Sequence, residues 1–143
     1  MSLNVYGQEE MSAGFKMLEK GSFSDAYRFF GDYLKKQPND ETAQLCYGRA
    51  MGLKGDKKES LEYFEKLVKK YPQNFEMKLN YAESFLWNNE LEKAKAYYQI
   101  LLTEKSNNFV ANLGMANTCS NLKEYPDALK YINKAIEIDP KNE

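Results

Sequence analysis

Apolar and polar residues follow each other along this chain with the period of an α-helix. Between Glu41 and Asn74 there are two apolar stripes, at Leu45, Tyr47, Gly48 and Met51 and at Leu61, Phe64, Leu67 and Val68. The segment Lys54-Gly55-Asp56 separates them, and a glycine in that place is typical of a turn between helices. The pattern therefore predicts two helices joined by a short turn.

The same pattern returns every 34 residues. Counted from Gly7, the chain holds four repeats, at 7–40, 41–74, 75–108 and 109–142, after a lead-in at 1–6 with no period of its own. The eighth and twentieth positions hold only small residues: Gly14, Gly48, Ala82 and Ala116, and Ala26, Ser60, Ala94 and Ala128. Small residues allow two helices to cross closely. We expect an all-α fold of four antiparallel helix pairs that stack in a row.

Residues that end helices or form turns also recur with the repeat. Pro38, Pro72 and Pro140 stand at one repeat position, where they are expected to stop the second helix, and Ser106 replaces the remaining proline. Turns between the helices of a pair are expected at Gly21-Ser22, Gly55-Asp56, Asn89-Glu90 and Lys123-Glu124. Lys123 is unusual at this position, where the other three turns have Gly or Asn.

Together, the small residues at positions eight and twenty, the large apolar residues at twenty-four and the prolines at thirty-two resemble the tetratricopeptide repeat. The resemblance covers residues 7–142. The chain departs from the family pattern at position four, where the family often has Trp and the chain has Glu10, Gln44, Lys78 and Asn112. It departs again at position thirty, where the family usually has Leu and the chain has Lys36, Lys70 and Glu104.

The resemblance implies an α-α superhelix whose first helices line a concave groove that holds a protein or peptide. Positions two, six, nine and thirteen share one face of such a helix. The candidate binding residues on this face are Phe15, Glu19, Arg49, Leu53, Asn80, Glu83, Trp87, Asn117 and Asn121. Aromatic and arginine side chains often dominate binding energy, and asparagine amides hydrogen-bond peptide backbone. An alternative is left open, in which Trp87 covers a turn and Phe15 pads the stack.

Charge composition limits the possible partners. The chain has 20 Lys and Arg against 21 Asp and Glu, a net charge of -1, so it lacks the basic surface of a dedicated nucleic-acid binder. No apolar run is long enough to span a membrane, and the start lacks the pattern of a secretory signal. We expect no nucleic-acid partner and no membrane insertion. The compartment stays open, with the cytoplasm as the default.

Candidate catalytic chemistry is sparse. The sequence has no histidine and only two cysteines, Cys46 and Cys119, which the repeat register places two repeats apart. The commonest general base and the usual zinc ligands are therefore missing. We expect no metal, no cofactor and no enzymatic activity.

The sequence favours a non-catalytic scaffold or adaptor that binds a protein or peptide segment. Two alternatives stay open: an oligomerisation or spacer module that acts through its terminal faces, and the regulatory repeat region of a larger enzyme or signalling protein. Ile136 and Ile138 lie on the last predicted helix, and no further predicted helix covers them. We therefore expect that the chain is part of a longer protein or that its C-terminal helix self-associates.

Overall fold

Helical hairpins make up the described part of the chain. The computed structural model describes the backbone of residues 5–141 and the side chains of residues 9–141, and this part consists of eight α-helices without a strand. The helices are α1 (Val5–Glu19), α2 (Phe23–Lys36), α3 (Glu41–Leu53), α4 (Lys57–Lys70), α5 (Phe75–Trp87), α6 (Leu91–Glu104), α7 (Phe109–Asn121) and α8 (Tyr125–Ile138). The predicted all-α fold is confirmed.

Equivalent helices begin 34 residues apart, as at Glu41, Phe75 and Phe109 for α3, α5 and α7. Helix α1 begins at Val5, inside the predicted lead-in, and residues 1–4 of that lead-in lie outside the described residues. The helical periodicity therefore places each helix from α2 onward in the same register of its repeat.

The chain divides into two compact bodies. We call Met1–Phe64 the N-terminal body and Glu65–Glu143 the C-terminal body. The division falls within α4. The core of the N-terminal body contains Met11, Ala26, Phe30, Ala43, Cys46 and Ala50. The core of the C-terminal body contains Phe75, Leu79, Ala82, Ala94, Tyr98, Leu101, Leu102, Ala111, Met115 and Cys119.

Small residues lie where paired helices cross, as predicted. A Cβ atom added to Gly48 would lie 2.7 Å from Cζ of Phe64, closer than real Cβ atoms come. In the same pair, the hydroxyl of Ser60 donates a hydrogen bond to the Gly48 carbonyl over 2.8 Å. Of the eight small positions, seven are buried and only Ala128 is half-buried. A larger side chain at a buried crossing would cost about 1–3 kcal/mol in overpacking.

All four turns between paired helices use a left-handed backbone. The φ angles are +79° at Gly21, +119° at Gly55, +57° at Asn89 and +64° at Lys123. The lysine adopts this conformation although a Cβ makes it unfavourable by about 1–2 kcal/mol relative to the right-handed region. Hydrogen bonds across the turn, such as that from the Glu124 amide to the Cys119 carbonyl at 2.9 Å, hold the conformation in place.

N-terminal caps recur at the last position of the first three repeats, a feature that the sequence reading missed. The capping side chain accepts a hydrogen bond from the third residue of the next helix, with Asp40 accepting from Ala43, Asn74 from Met77 and Asn108 from Ala111. Each cap satisfies an amide that has no partner within its helix, which typically stabilises a helix by about 1 kcal/mol.

Polar contacts occur at several of the positions where the chain departs from the family pattern. In the third repeat, the departures at positions four and thirty form an ion pair, with Lys78 Nζ 3.1 Å from a carboxylate oxygen of Glu104. In the fourth repeat, the buried amide of Asn112 donates to the Ser106 carbonyl over 3.1 Å. Helix α6 ends at Glu104, the same repeat position at which α2, α4 and α8 end, so a proline is not required to stop it.

Candidate binding surface

In the N-terminal body, the four candidate residues lie on α1 and α3. Phe15 is half-buried, with its ring centroid 6.0 Å from that of Phe30 in the core, which suits the alternative role of padding. Glu19 is exposed at the end of α1, and Arg49 and Leu53 are half-buried on α3. Of this group, Glu19 is exposed, and the other three keep part of their surface in contact with solvent.

The electrostatics next to Arg49 argue against a reactive thiol there. Cys46 is 6% exposed, and its burial raises the pKa of the thiol to about 11, with the nearby Arg49 charge acting in the opposite direction and Asp40 adding to the rise. A thiol with that pKa is protonated at neutral pH and is a poor nucleophile. Cys46 therefore belongs to the core.

The five candidate residues of the C-terminal body lie on α5 and α7, which contact each other. Glu83 and Trp87 are half-buried on α5, and Asn117 and Asn121 are exposed on α7. Asn80 differs from them, because it is only 5% exposed and its amide donates to the Glu76 carbonyl over 2.7 Å. We call Glu83, Trp87, Asn117 and Asn121 the α5–α7 surface.

The predicted stripe was wrong at position six, which lies in the interior. Cys46, Asn80 and Gly114 occupy this position in three repeats, and all three are buried. At Gly114 the reason is visible, since an added Cβ would lie 2.3 Å from Cζ of Tyr98, a residue of the preceding repeat. Position six therefore packs against the neighbouring second helix. At position two Glu76 and Val110 are exposed, and at positions nine and thirteen the side chains are half-buried or exposed.

Side-chain amides give the α5–α7 surface its chemistry. Asn117 and Asn121 lie one turn apart on α7, and the Asn121 amide donates to the Asn117 backbone carbonyl over 2.9 Å. Each amide side chain carries both donors and an acceptor. On the neighbouring α5, Trp87 contributes an indole and Glu83 a carboxylate. Such a surface can hydrogen-bond extended backbone and pack against an apolar side chain.

Aromatic clusters beside the first helices were missed by the sequence reading. In the C-terminal body, the ring of Tyr81 lies 4.6 Å from that of Phe85 and 5.1 Å from that of Tyr97. Burial raises the pKa of Tyr97 to about 12, and the nearby Tyr81 and Glu104 add to the rise. The signal was present, because Tyr47 and Tyr81 share repeat position seven and Tyr63, Tyr97 and Tyr131 share position twenty-three.

The described residues form neither a metal site nor a membrane-spanning helix. Within residues 9–141 no three His, Cys, Asp or Glu side chains group in a way that could hold a metal ion. Both cysteines are free and buried. None of the helices in the described part is long and apolar enough to cross a bilayer.

Family comparisons give consistent results for the repeats. Tetratricopeptide repeat family models match residues 54–109 and residues 110–142. None of the curated proteins matches the sequence.

Solved structures with this fold include several from bacteria. A thermophilic tetratricopeptide repeat protein from Thermus thermophilus superimposes with a TM-score of 0.85 at 18% identity, over 93% of this chain and 74% of that one. MamA from Desulfovibrio magneticus gives a TM-score of 0.71 at 16% identity, over 97% and 78% of the two chains. A tetratricopeptide repeat protein from Parabacteroides merdae gives 0.67 at 20% identity, over 94% of this chain and 54% of that one.

At these identities the likeness concerns the fold alone, and it agrees with the predicted class of an all-α helical-repeat solenoid. The family matches, the helix pairs repeating every 34 residues and the small residues at their crossings lead to the same conclusion. The chain is a tetratricopeptide repeat protein, a member of a family whose repeats generally mediate protein–protein interaction.

Proposed function

We propose that this chain is a non-catalytic scaffold that binds a peptide or protein segment on the exposed side of its first helices, with the α5–α7 surface as the principal contact. The observation that carries the proposal is the placement of Trp87 and of the exposed amides of Asn117 and Asn121 on two first helices that contact each other. Surfaces of this composition bind through a large anchor surrounded by polar contacts.

Each side chain of the α5–α7 surface has a distinct role in the proposal. The indole of Trp87 covers an apolar side chain of the bound segment, because tryptophan provides a large contact area and often costs about 2 kcal/mol or more when truncated. Asn117 and Asn121 hydrogen-bond the backbone of the segment, which makes binding tolerant of its sequence. Glu83 favours a basic residue nearby, through charge complementarity.

The N-terminal body supplies a separate contact in this proposal. Arg49 and Leu53 lie one turn apart on α3, and Glu19 lies at the end of α1. A guanidinium and an aliphatic side chain together suit an acidic or aromatic residue of a partner. This contact is tested separately from the α5–α7 surface.

A displayed library of random peptides tests the proposal without a known partner. Peptides selected on the wild-type chain should bind the Trp87→Ala variant about tenfold or more weakly, as expected for a lost hot spot. Ile100→Ala is the matched control, because Ile100 is a large exposed apolar side chain on α6, a second helix. Circular dichroism should show unchanged helix content in both variants.

The Arg49→Glu variant extends the experiment to α3. Peptides that contact the N-terminal body should lose affinity for this variant and keep their affinity for Ile100→Ala. If every selected peptide binds Trp87→Ala and Arg49→Glu as tightly as the wild type, the first helices do not form the binding surface and the proposal is wrong.

A further inference from the structure

A depression lies between α6 and α8, the second helices of the last two repeats. Its volume is about 370 Å³, which is within the usual range of small-molecule sites. The lining includes Gln99 and Leu102 of α6, Asn112 of α7, and Lys130, Tyr131 and Lys134 of α8. We call this site the α6–α8 depression. It shares no residue with the α5–α7 surface.

The residue at repeat position four accounts for the open space. In the third repeat this position holds Lys78, whose side chain extends to a carboxylate oxygen of Glu104 at 3.1 Å. In the fourth repeat it holds Asn112, which is 2% exposed. Its amide nitrogen donates to the backbone carbonyls of Ser106 and Asn108 over 3.1 Å and 2.8 Å. This short side chain is therefore held at the start of α7, and it leaves the space between α6 and α8 unfilled.

The lining offers both apolar contact and hydrogen-bond donors. Leu102 is 7% exposed and belongs to the core of the C-terminal body, and Tyr131 is half-buried. The Tyr131 hydroxyl donates to the side-chain oxygen of Gln99 over 3.4 Å, which links α8 to α6. The amide nitrogen of Gln99 can then donate to a ligand. A small organic molecule would therefore find apolar side chains for its carbon skeleton and donors for its oxygen atoms.

Two ammonium groups give the α6–α8 depression a positive charge. Lys130 and Lys134 lie one turn apart on α8, and Lys134 is half-buried. In the described part of the chain, neither ammonium is paired with a carboxylate, whereas Lys95 of α6 is paired with Glu124 at 2.6 Å. Like charges one turn apart on a helix repel each other. An anion bound between the two ammonium groups would relieve this repulsion.

The acidic residue of the lining limits the charge of the ligand. Of the described residues that line the depression, Glu137 alone is acidic, and it is exposed. Two lysines against one glutamate give the lining a net charge of +1. A carboxylate carries one negative charge and balances it. A phosphate monoester carries about 1.5 to 2 negative charges at neutral pH, and the excess would meet the Glu137 carboxylate.

We propose that the α6–α8 depression binds the carboxylate group of a small organic acid. The carboxylate accepts hydrogen bonds from the ammonium groups of Lys130 and Lys134, and the carbon skeleton packs against Leu102 and Tyr131. Hydrogen bonds between two charged groups are about twice as strong as those between neutral ones. The site does not depend on the α5–α7 surface, so each proposal can fail without the other.

An NMR titration of the full chain tests the site, with benzoate as the probe and benzamide as its neutral counterpart of similar shape. Benzoate should shift the backbone amide resonances of the residues that line the depression, from Gln99 on α6 to Lys134 on α8. Benzamide should bind about tenfold more weakly, as expected for the loss of hydrogen bonds to a charged group. The proposal is overturned if benzoate leaves these resonances unchanged, or if benzamide binds as tightly as benzoate.

Substitutions at Lys134 connect the binding to this side chain. Lys134→Gln should bind benzoate about tenfold more weakly with unchanged helix content, and Lys134→Arg, which keeps the charge, should retain most of the affinity. Lys93→Gln is the matched control, because Lys93 is an exposed lysine of α6 that pairs with Glu90 at 3.4 Å and does not line the depression. Equal affinity of Lys134→Gln and the wild type would contradict the proposal.

A second titration distinguishes a free acid from an acidic side chain of a protein. The probe is a short blocked peptide, Gly-Glu-Gly, which carries one carboxylate on a peptide backbone. It should bind more weakly than benzoate, because it has no compact apolar skeleton to pack against Leu102 and Tyr131. Tighter binding of the peptide, lost in Lys134→Gln, would assign the depression to a protein partner and overturn the small-molecule site.

Discussion

The contact between α2 and α3 in the N-terminal body and that between α6 and α7 in the C-terminal body join successive repeats through different side chains. In the first, Tyr27 stacks on Tyr47, and the Tyr47 hydroxyl donates to the Tyr27 oxygen over 2.9 Å. In the second, the position of Tyr27 is taken by Lys95, whose ammonium lies 2.6 Å from a carboxylate oxygen of Glu124 in the turn that follows α7.

The two contacts also differ in the sizes of the side chains that face each other at repeat positions twenty-four and six. The N-terminal body places Phe30 and Cys46 in one core cluster, at repeat positions twenty-four and six. The C-terminal body has a larger ring at position twenty-four, Tyr98, and only Gly114 at position six. Since protein interiors are close-packed, a larger side chain on one helix requires a smaller one on the other. The repeat conserves the fit between two positions rather than the residue at either one.

At neutral pH, the largest expected effect comes from adding one methyl group at Gly114. The new Cβ would lie 2.3 Å from Cζ of Tyr98, and buried overpacking costs about 1–3 kcal/mol. Because the gain in helix propensity returns about 1 kcal/mol, Gly114→Ala should lower the free energy of unfolding by up to about 2 kcal/mol. Gly31→Ala is the matched control in the N-terminal body, where a Cβ would lie 3.3 Å from Cε2 of Tyr47. There the gain in helix propensity of about 1 kcal/mol should offset the tight contact.

Denaturant unfolding followed by circular dichroism measures both variants. Equal stability of Gly114→Ala and the wild type would mean that Tyr98 does not lie against Gly114, and the proposed difference between the two contacts would disappear.

Alkaline pH should weaken the two bodies over different ranges. The pKa of Cys46 is raised from 9.0 to about 11 by burial, and that of Tyr97 from 10.0 to about 12. When folding raises the pKa of a group, the group contributes to stability at pH values below its unfolded pKa. That contribution is lost as the pH rises through its folded pKa. The thiol's contribution should therefore disappear between about pH 9 and 11, and that of the phenol between about pH 10 and 12.

For Cys46, a shift of two pKa units corresponds to a loss of about 3 kcal/mol once the pH passes the folded value. The free energy of unfolding, measured with denaturant at increasing pH, should show this loss in the wild type. The Cys46→Ala variant is less stable at neutral pH but should lack this part of the pH dependence. An identical dependence in both proteins would show that the thiol is not buried as described.

Removing one hydroxyl should have the smallest effect of the three. Tyr27→Phe keeps the stacked ring but removes the hydrogen bond between Tyr27 and Tyr47, which should cost about 1 kcal/mol. Tyr71→Phe serves as the control, because the ring of Tyr71 faces the Lys70 ammonium at 5.3 Å and that contact survives the substitution. A thermal melt in which both variants match the wild type would indicate that the hydrogen bond between Tyr27 and Tyr47 adds nothing to the stability of this contact.

Much of the fold could be predicted from particular residues. Gly21 and Gly55 indicated the turns in which they lie, and the small residues at repeat position eight, such as Gly14 and Ala116, indicated where paired helices cross. The caps at Asp40, Asn74 and Asn108 were equally visible at one repeat position, but they were not recognised. These signals are local or strictly periodic, so they can be read without knowing what lies across the helix.

The candidate surface was predicted less completely. Spacing alone placed Asn80 and Gly114 beside Asn117 on one helical side, yet only Asn117 of the three is exposed. Helical periodicity assigns residues to a direction around the axis, and it does not say how closely a neighbouring helix approaches from that direction. The exposure of Tyr125 and Leu129 on α8 escaped prediction for the same reason.

By itself, the sequence determined the 34-residue period and the places of the turns between paired helices, because these depend on backbone propensity and on spacing along one segment. Only the tertiary structure decided that position six is interior, that Lys78 pairs with Glu104 and that the Tyr98 ring lies over Gly114. Such pairings depend on the complementary volume and charge of residues on different helices, which no single segment of sequence contains.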